Sequence, residues 1–127
     1  MGSMVDTRRQ ALGRYGENIA CRYLCAQGMR VLARNWRCEV GEIDIVARDG
    51  DDLVICEVKT RTSGRYGAPQ EAVTATKLRR LQRLAAAWLS AQNQDALWHP
   101  TAVRIDVVAV TRPRRGPALI DHIVGVM

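Results

Sequence analysis

"GEIDIVARDGDDLVICEVKTR", residues 41–61, reads as two short strands joined by an acidic turn. The β-branched runs on either side of Asp49-Gly50-Asp51-Asp52 carry the strand signal, and the turn residues break it. Set into those runs are Glu42, Asp44, Glu57 and Lys59. Charge inside a segment built for burial is costly unless it is paired. The same stretch therefore poses the fold and the chemistry together.

Alternate side chains of a strand share a face. Glu42, Asp44, Val46 and Arg48 then lie together, as do Leu53, Ile55, Glu57, Lys59 and Arg61. A two-residue Asp49-Gly50 turn would pair Arg48 with Asp51 and set Glu42 opposite Glu57. A four-residue loop, Asp49 to Asp52, would set Asp44 opposite Glu57 and Glu42 opposite Lys59. Either even loop collects Asp44, Glu57 and Lys59 on one surface, whereas an odd loop scatters them.

Outward from the hairpin, "TRRQALGRYGENIACRYLCAQG" is expected to be a helix that ends at Gly28, with Met29 as the hydrophobic contact of its cap. Its inward arc holds Leu12, Gly13, Gly16, Ile19, Ala20, Tyr23 and Leu24, and Glu17 falls inside that arc. "RVLARNWRC" is a first strand before the hairpin. A Gly/Pro-marked loop, residues 62–69, leads into a helix from Gln70 to about Gln92, with Pro69 near its start. "AVRIDVVAV" is a buried strand and "ALIDHIVGV" a last, edge strand. The order helix, three-strand meander, helix, strand, strand defines a single α/β domain with a mixed central sheet. It spans residues 4–127; Met1-Gly2-Ser3 reads as an expression remnant.

Nineteen Lys and Arg against 13 Asp and Glu give a net charge of +6 and a pI near 9.7. Three of the acids crowd the hairpin turn, so the remaining surface is more basic still. Such a surface suits nucleic acid or an anionic membrane. No apolar run approaches the roughly 20 residues of a membrane helix, so a soluble cytoplasmic protein is expected. Cys21, Cys25, Cys38 and Cys56 fit no common zinc spacing and read as reduced, mostly buried thiols.

Two carboxylates from adjacent strands repel unless a cation lies between them, and Mg²⁺ or Mn²⁺ would relieve that repulsion. Lys59 would then activate a water or neutralise charge developing on a phosphate; the bland alternative is a structural ion pair with Glu57 or Glu42. The helix after the site carries Lys77, Arg79, Arg80 and Arg83, expected as a basic band opposite the Leu81–Trp88 face. Arg61, Arg65 and Tyr66, and Arg34 and Arg37 with Trp36, extend that candidate nucleic-acid surface. Asp106 and His122 are single polar residues on strands and read as structural.

An Asp on the second strand of a meander, Glu-x-Lys on the third and then a helix resemble the core of the PD-(D/E)xK, or restriction-endonuclease-like, superfamily. "GRYGENIACRYL", "RNWRCEVGEIDIVARD", "EVKTRTSGRYGAPQEAVTATKLRRL" and "RIDVVAV" together resemble the YraN family of small bacterial endonuclease-like proteins, distantly similar to archaeal Holliday-junction resolvases. The resemblance covers about Leu12 to Val110. It implies a restriction-endonuclease-like fold and a metal-dependent endonuclease acting on DNA, branched or structured DNA included. It makes Asp44 and Glu57 metal carboxylates, Lys59 the catalytic lysine, the Val58 carbonyl a further ligand and Glu17 the first-helix glutamate. Resolvase-like relatives suggest a homodimer, although no segment specifies one. The rival reading is a non-catalytic nucleic-acid-binding module that retains the nuclease fold.

Overall fold

The computed structural model describes residues 4–62, 73–92 and 98–126, with side chains from Thr7 onward. Seven elements follow in chain order: α1 (Met4–Ala26), β1 (Arg30–Cys38), β2 (Gly41–Asp49), β3 (Asp52–Arg61), α2 (Ala75–Ala91), β4 (Ala102–Thr111) and β5 (Leu119–Ile123). The strands form one sheet in the order β1-β2-β3-β4-β5. Only β3 and β4 run parallel, because α2 carries the chain back between them. The mixed α/β sheet expected from the sequence is the one found.

α1 ends as its sequence demands. Gly28 takes φ +91, and the N–H groups of Met29 and Gly28 donate to the carbonyls of Leu24 and Cys25 at 3.0 Å each. That is the paired bonding of a glycine C-cap, and Met29 is buried beside Leu24 in one cluster. α2 starts later than expected. Thr74 is its N-cap, accepting from the Lys77 N–H at 3.1 Å, so Pro69 does not mark the first turn. Gln70, the expected helix start, lies outside the described residues.

Two apolar layers sandwich the sheet. α1 covers Ile45, Ala47, Val54, Cys56, Val108 and Val110, while Leu81, Leu84, Ala85 and Trp88 of α2 cover Ile43, Val46, Leu53, Ile55 and Ile105. Of the cysteines only Cys56 is buried; Cys21 and Cys38 are half-buried and Cys25 is exposed, which corrects the expectation of mostly buried thiols. Trp36, expected to stand with Arg34 and Arg37 on the surface, instead packs against the α2 layer. Among the described residues no helix is long and apolar enough to cross a membrane.

The hairpin adopts the second of the two even registers. Asp49 pairs with Asp52 and Arg48 with Leu53, which rules out the Asp49-Gly50 turn. Gly50 and Asp51 are the turn residues, and Gly50 sits at φ +60, where a type II′ turn takes glycine. Two further contacts fasten this turn to β4: the Thr101 N–H donates to the Asp51 carbonyl at 2.9 Å, and Arg104 lies 3.0 Å from Asp49 and 3.8 Å from Asp52.

Strict alternation fails in the first two strands of the meander, in addition to the register shift between Val31 and Ala33 of β1. Ala33 and Trp36, three residues apart, pack on the same layer, and so do Ile43 and Val46. In β1 the change of face falls at Asn35, a non-glycine at φ +50. In β2 it falls at Asp44-Ile45, with Ile45 turned to the α1 layer. The β1–β2 register (Arg34 with Ile45, Trp36 with Ile43) sets Asn35 opposite Asp44. Both strands therefore kink together at the aspartate.

α1 approaches β3 through Gly16, where an added Cβ would fall on the side chain of Thr60. At Gly13 an added Cβ would meet nothing within 4 Å. Gly16→Ala should therefore lower unfolding free energy by about 1–3 kcal/mol through overpacking. Gly13→Ala should be neutral or stabilising by up to about 1 kcal/mol through helix propensity. Urea denaturation of the two variants checks the contrast, and Thr60→Ala should recover part of the Gly16→Ala loss.

Candidate functional site

The ladder between β2 and β3 pairs its residues from the turn as far as Ile45 and Cys56. One step further, the register sets Asp44 opposite Glu57. Here the kink in β2 turns the Asp44 side chain toward β3, and the Val58 N–H donates to Asp44 Oδ2 at 2.8 Å. The carboxylate takes the place of a strand carbonyl. It thereby satisfies a backbone donor that the splayed ladder would leave unmatched.

Asp44 stands in an unfavourable place for an anion. Burial, then the charges of Glu57, Glu17 and Glu42, push its pKa up to about 7, while the bond from Val58 works in the opposite sense. The charges of Glu17 on α1 and Glu57 on β3 both act on Asp44. Glu17 is half-buried and follows Gly16, the glycine that brings α1 against β3.

Glu57 is only 12% exposed and is held by two ammonium groups. Lys77 Nζ lies 2.7 Å from Glu57 Oε1, and Lys59 Nζ lies 3.5 Å from the same oxygen. The two lysines compete. The pKa of Lys59 is lowered, first by the adjacent Lys77 and then by burial. Burial, the largest single influence, acts against the charge of Lys77, but its bonds to Glu57 and Lys59 and the charges of Glu57 and Asp44 together raise its pKa. The pair makes Lys77 the firm counter-ion and leaves Lys59 the more labile of the two.

Lys77 is thus placed differently from the sequence reading, which put it in a surface band with Arg79, Arg80 and Arg83. Those three arginines are exposed, whereas Lys77 faces the sheet. The signal was present: Lys77 precedes Leu81, Leu84 and Trp88 by four, seven and eleven residues, the spacing of the buried face. Glu42 pairs with Arg37 at 3.4 Å. Arg34 donates to Asn18 Oδ1 at 2.7 Å, tying β1 to α1. Arg61 closes β3, its carbonyl accepting from the Arg112 N–H at 2.7 Å. Arg65 and Tyr66 fall outside the described residues. Among the described residues, no group of three or more His, Cys, Asp or Glu side chains is arranged to hold a metal ion.

A second polar network lies on the neighbouring strand pair. Asp106 is fully buried, accepting from Arg104 at 2.9 and 3.1 Å and from the Gly125 N–H at 3.0 Å. His122 Nε2 lies 2.8 Å from Asp106, and its Nδ1 lies 3.1 Å from the Tyr23 hydroxyl. These contacts bind β4, β5 and α1 together, so the two residues that looked solitary in the sequence are partners.

The fold and site define a small α/β domain whose sheet opens at one end around an Asp, a Glu and two lysines. The comparison with protein-family models matches residues 16–110 to the uncharacterised protein family UPF0102. Curated relatives agree across nearly the whole chain. A UPF0102 protein of Nocardioides sp. is 57% identical over 118 residues, covering 93% of this chain and 92% of its own length. One from Kineococcus radiotolerans is 56% identical over 124 residues (97% and 99%), and one from Streptomyces griseus is 54% identical over 118 residues (93% and 97%). The chain belongs to the UPF0102 family, the one that the YraN resemblance named.

The raised pKa of Asp44 makes stability depend on pH. Its folded-state pKa, about 7, lies above the ordinary value of 3.8. Its contribution is therefore fully present below about pH 4 and is lost as pH rises toward 7, at most about 4 kcal/mol. Asp44→Asn keeps an acceptor for Val58 but cannot ionise. In EDTA, urea unfolding should show the variant more stable than the parent at pH 8 and equal to it near pH 4.

Proposed function

We propose that the site hydrolyses phosphodiester bonds in DNA as a metal-dependent endonuclease of PD-(D/E)xK type. The observation that carries this reading is the convergence of Asp44 and Glu57 on the splayed end of β2 and β3, with Lys59 one residue pair beyond. The donor set fits a hard divalent ion: carboxylate oxygens whose mutual repulsion already disfavours ionised Asp44. Asp44 and Glu57 would hold Mg²⁺ or Mn²⁺, with Glu17 and the Val58 carbonyl as further oxygen donors. When bound, the ion supplies charge neutralisation at the scissile phosphate.

The chain's own residues do the rest. Val58, through its N–H, fixes the orientation of Asp44. Lys77 fixes Glu57 and, by its nearness, weakens the hold of Lys59 on its proton. Lys59 is then suited to orient the attacking water and take up its proton. In-line attack forms a new P–O bond and breaks the bond to the 3′ oxygen, which leaves as a hydroxyl, so the products carry a 5′-phosphate and a 3′-hydroxyl. Exposed Arg79, Arg80 and Arg83 would meet phosphates from the α2 side.

One observation favours a second reading, a nucleic-acid-binding module without catalysis. Glu57 is already neutralised by two lysines, and no described group of three ligand side chains stands ready for a metal. Nuclease assays on branched, single-stranded and duplex DNA separate the two. With Mg²⁺ or Mn²⁺, cleavage should fall by roughly 100-fold or more in Lys59→Ala, the scale of a lost acid–base group. Calorimetric titration with Mn²⁺ should show binding that disappears in Asp44→Asn. DNA binding with neither cleavage nor Mn²⁺ uptake would select the second reading.

A further inference from the structure

A cavity of about 440 Å³ lies between the first half of α1 and the far end of β3, lined by Arg8, Arg9, Ala11, Leu12, Thr62 and Arg112. We propose that it is a phosphate-binding subsite for the nucleic-acid backbone, an interface on the α1 side that extends the substrate path beyond the end of β3. This assignment rests on the phosphodiesterase reading for its substrate and on independent residues for its geometry.

Three arginines line the cavity, and among the described residues no carboxylate forms an ion pair with any of them. Gathering like charges without a counter-ion is unfavourable unless an anion from outside completes the set. Arg112 is not a free-swinging chain. Its guanidinium stacks 5.4 Å over the ring of Tyr15, and its N–H is bonded to the Arg61 carbonyl. The guanidinium fork matches phosphate oxygens better than an ammonium would. Thr62 adds a hydroxyl donor, and Ala11 and Leu12 give an apolar floor on which a sugar could rest. Arg114 and Arg115, exposed on the next turn, strengthen the local field.

Position ties the cavity to the carboxylate site. Thr62 is three residues past Lys59, about 10 Å along a strand. Arg9 precedes Glu17 by eight residues, about 12 Å along a helix and about 80° around it. α1 and β3 run antiparallel here, Gly16 lying on Thr60 while Leu12 and Ala11 meet the cavity beside Thr62. Both routes give about the same separation, enough to seat a second backbone phosphate beside the scissile one. A backbone whose scissile phosphate sits at Asp44 and Glu57 would bring a second phosphate to the arginines. The basic band of α2 lies on the opposite layer of the sheet.

The test is binding of labelled duplex and branched DNA in EDTA, where neither metal nor cleavage intervenes, across a series of salt concentrations. Arg8→Gln with Arg9→Gln leaves the Tyr15–Arg112 stack untouched; adding Arg112→Gln removes the whole set. The double variant should bind several-fold more weakly, and the triple variant roughly tenfold or more, with the log–log salt slope falling by about 1–3. Thermal unfolding of the double variant should match the parent. Unchanged affinity and slope in the triple variant would overturn the subsite, whatever the cleavage assays show. Inorganic phosphate or a nucleoside monophosphate binding as tightly as DNA would also overturn it, by identifying a small-molecule site. Weakened DNA binding in these variants, with no cleavage by the parent protein, would leave the subsite standing and remove the nuclease reading instead.

Discussion

The hydrogen bond from the Val58 N–H to Asp44 Oδ2 is the constraint on which the rest of the site depends. A continuous β2–β3 ladder would use backbone carbonyls for β3's donors and would carry Asp44 to one face by simple alternation. The coupled kinks at Asn35 and Asp44 open the ladder, and the aspartate side chain closes the gap that they leave. A half-buried carboxylate is thus held in the plane of the sheet, between the α1 and α2 layers. Glu17 comes from one layer and Lys77 from the other.

Charge balance explains why the fold tolerates this arrangement. Glu57 is nearly buried but has two cations, and Lys77 binds it at close range from the first turn of α2. Among the described residues Asp44 has no ion pair of this kind, and the bond from Val58 is left to oppose burial and its anionic neighbours. The site therefore combines one neutralised carboxylate with one frustrated carboxylate. On the proposed reading, a divalent cation would be attracted to the second. The buried Asp106 is the contrast within the same molecule: Arg104, His122 and the Gly125 N–H satisfy it, and it ties β4 to β5.

Periodicity in the sequence was enough for the order of elements, the glycine cap of α1 and the two apolar layers. The late start of α2 was not legible, because Thr74 competes with Pro69 as a helix-start signal and only its bond to the Lys77 N–H decides between them. Lys77 was legible in principle, at i−4 from Leu81, but adjacent arginines at similar spacing disguised it as part of a surface band. Asn35 carried no such mark. A left-handed asparagine inside a strand pattern looks like any other polar outward residue.

The sequence by itself determined which charges could meet: even spacing put Asp44, Glu57 and Lys59 on a common surface in either register. It could not choose the register, because a slip of two residues preserves every inward and outward side chain. Tertiary structure made that choice. Arg104, which arrives on β4 only after the α2 crossover, bridges Asp49 and Asp52, while the Thr101 N–H bonds to Asp51. Two acids that would repel across the hairpin become favourable only when a cation from a strand some fifty residues later stands beside them. The carboxylate pair of the site follows from that distant contact.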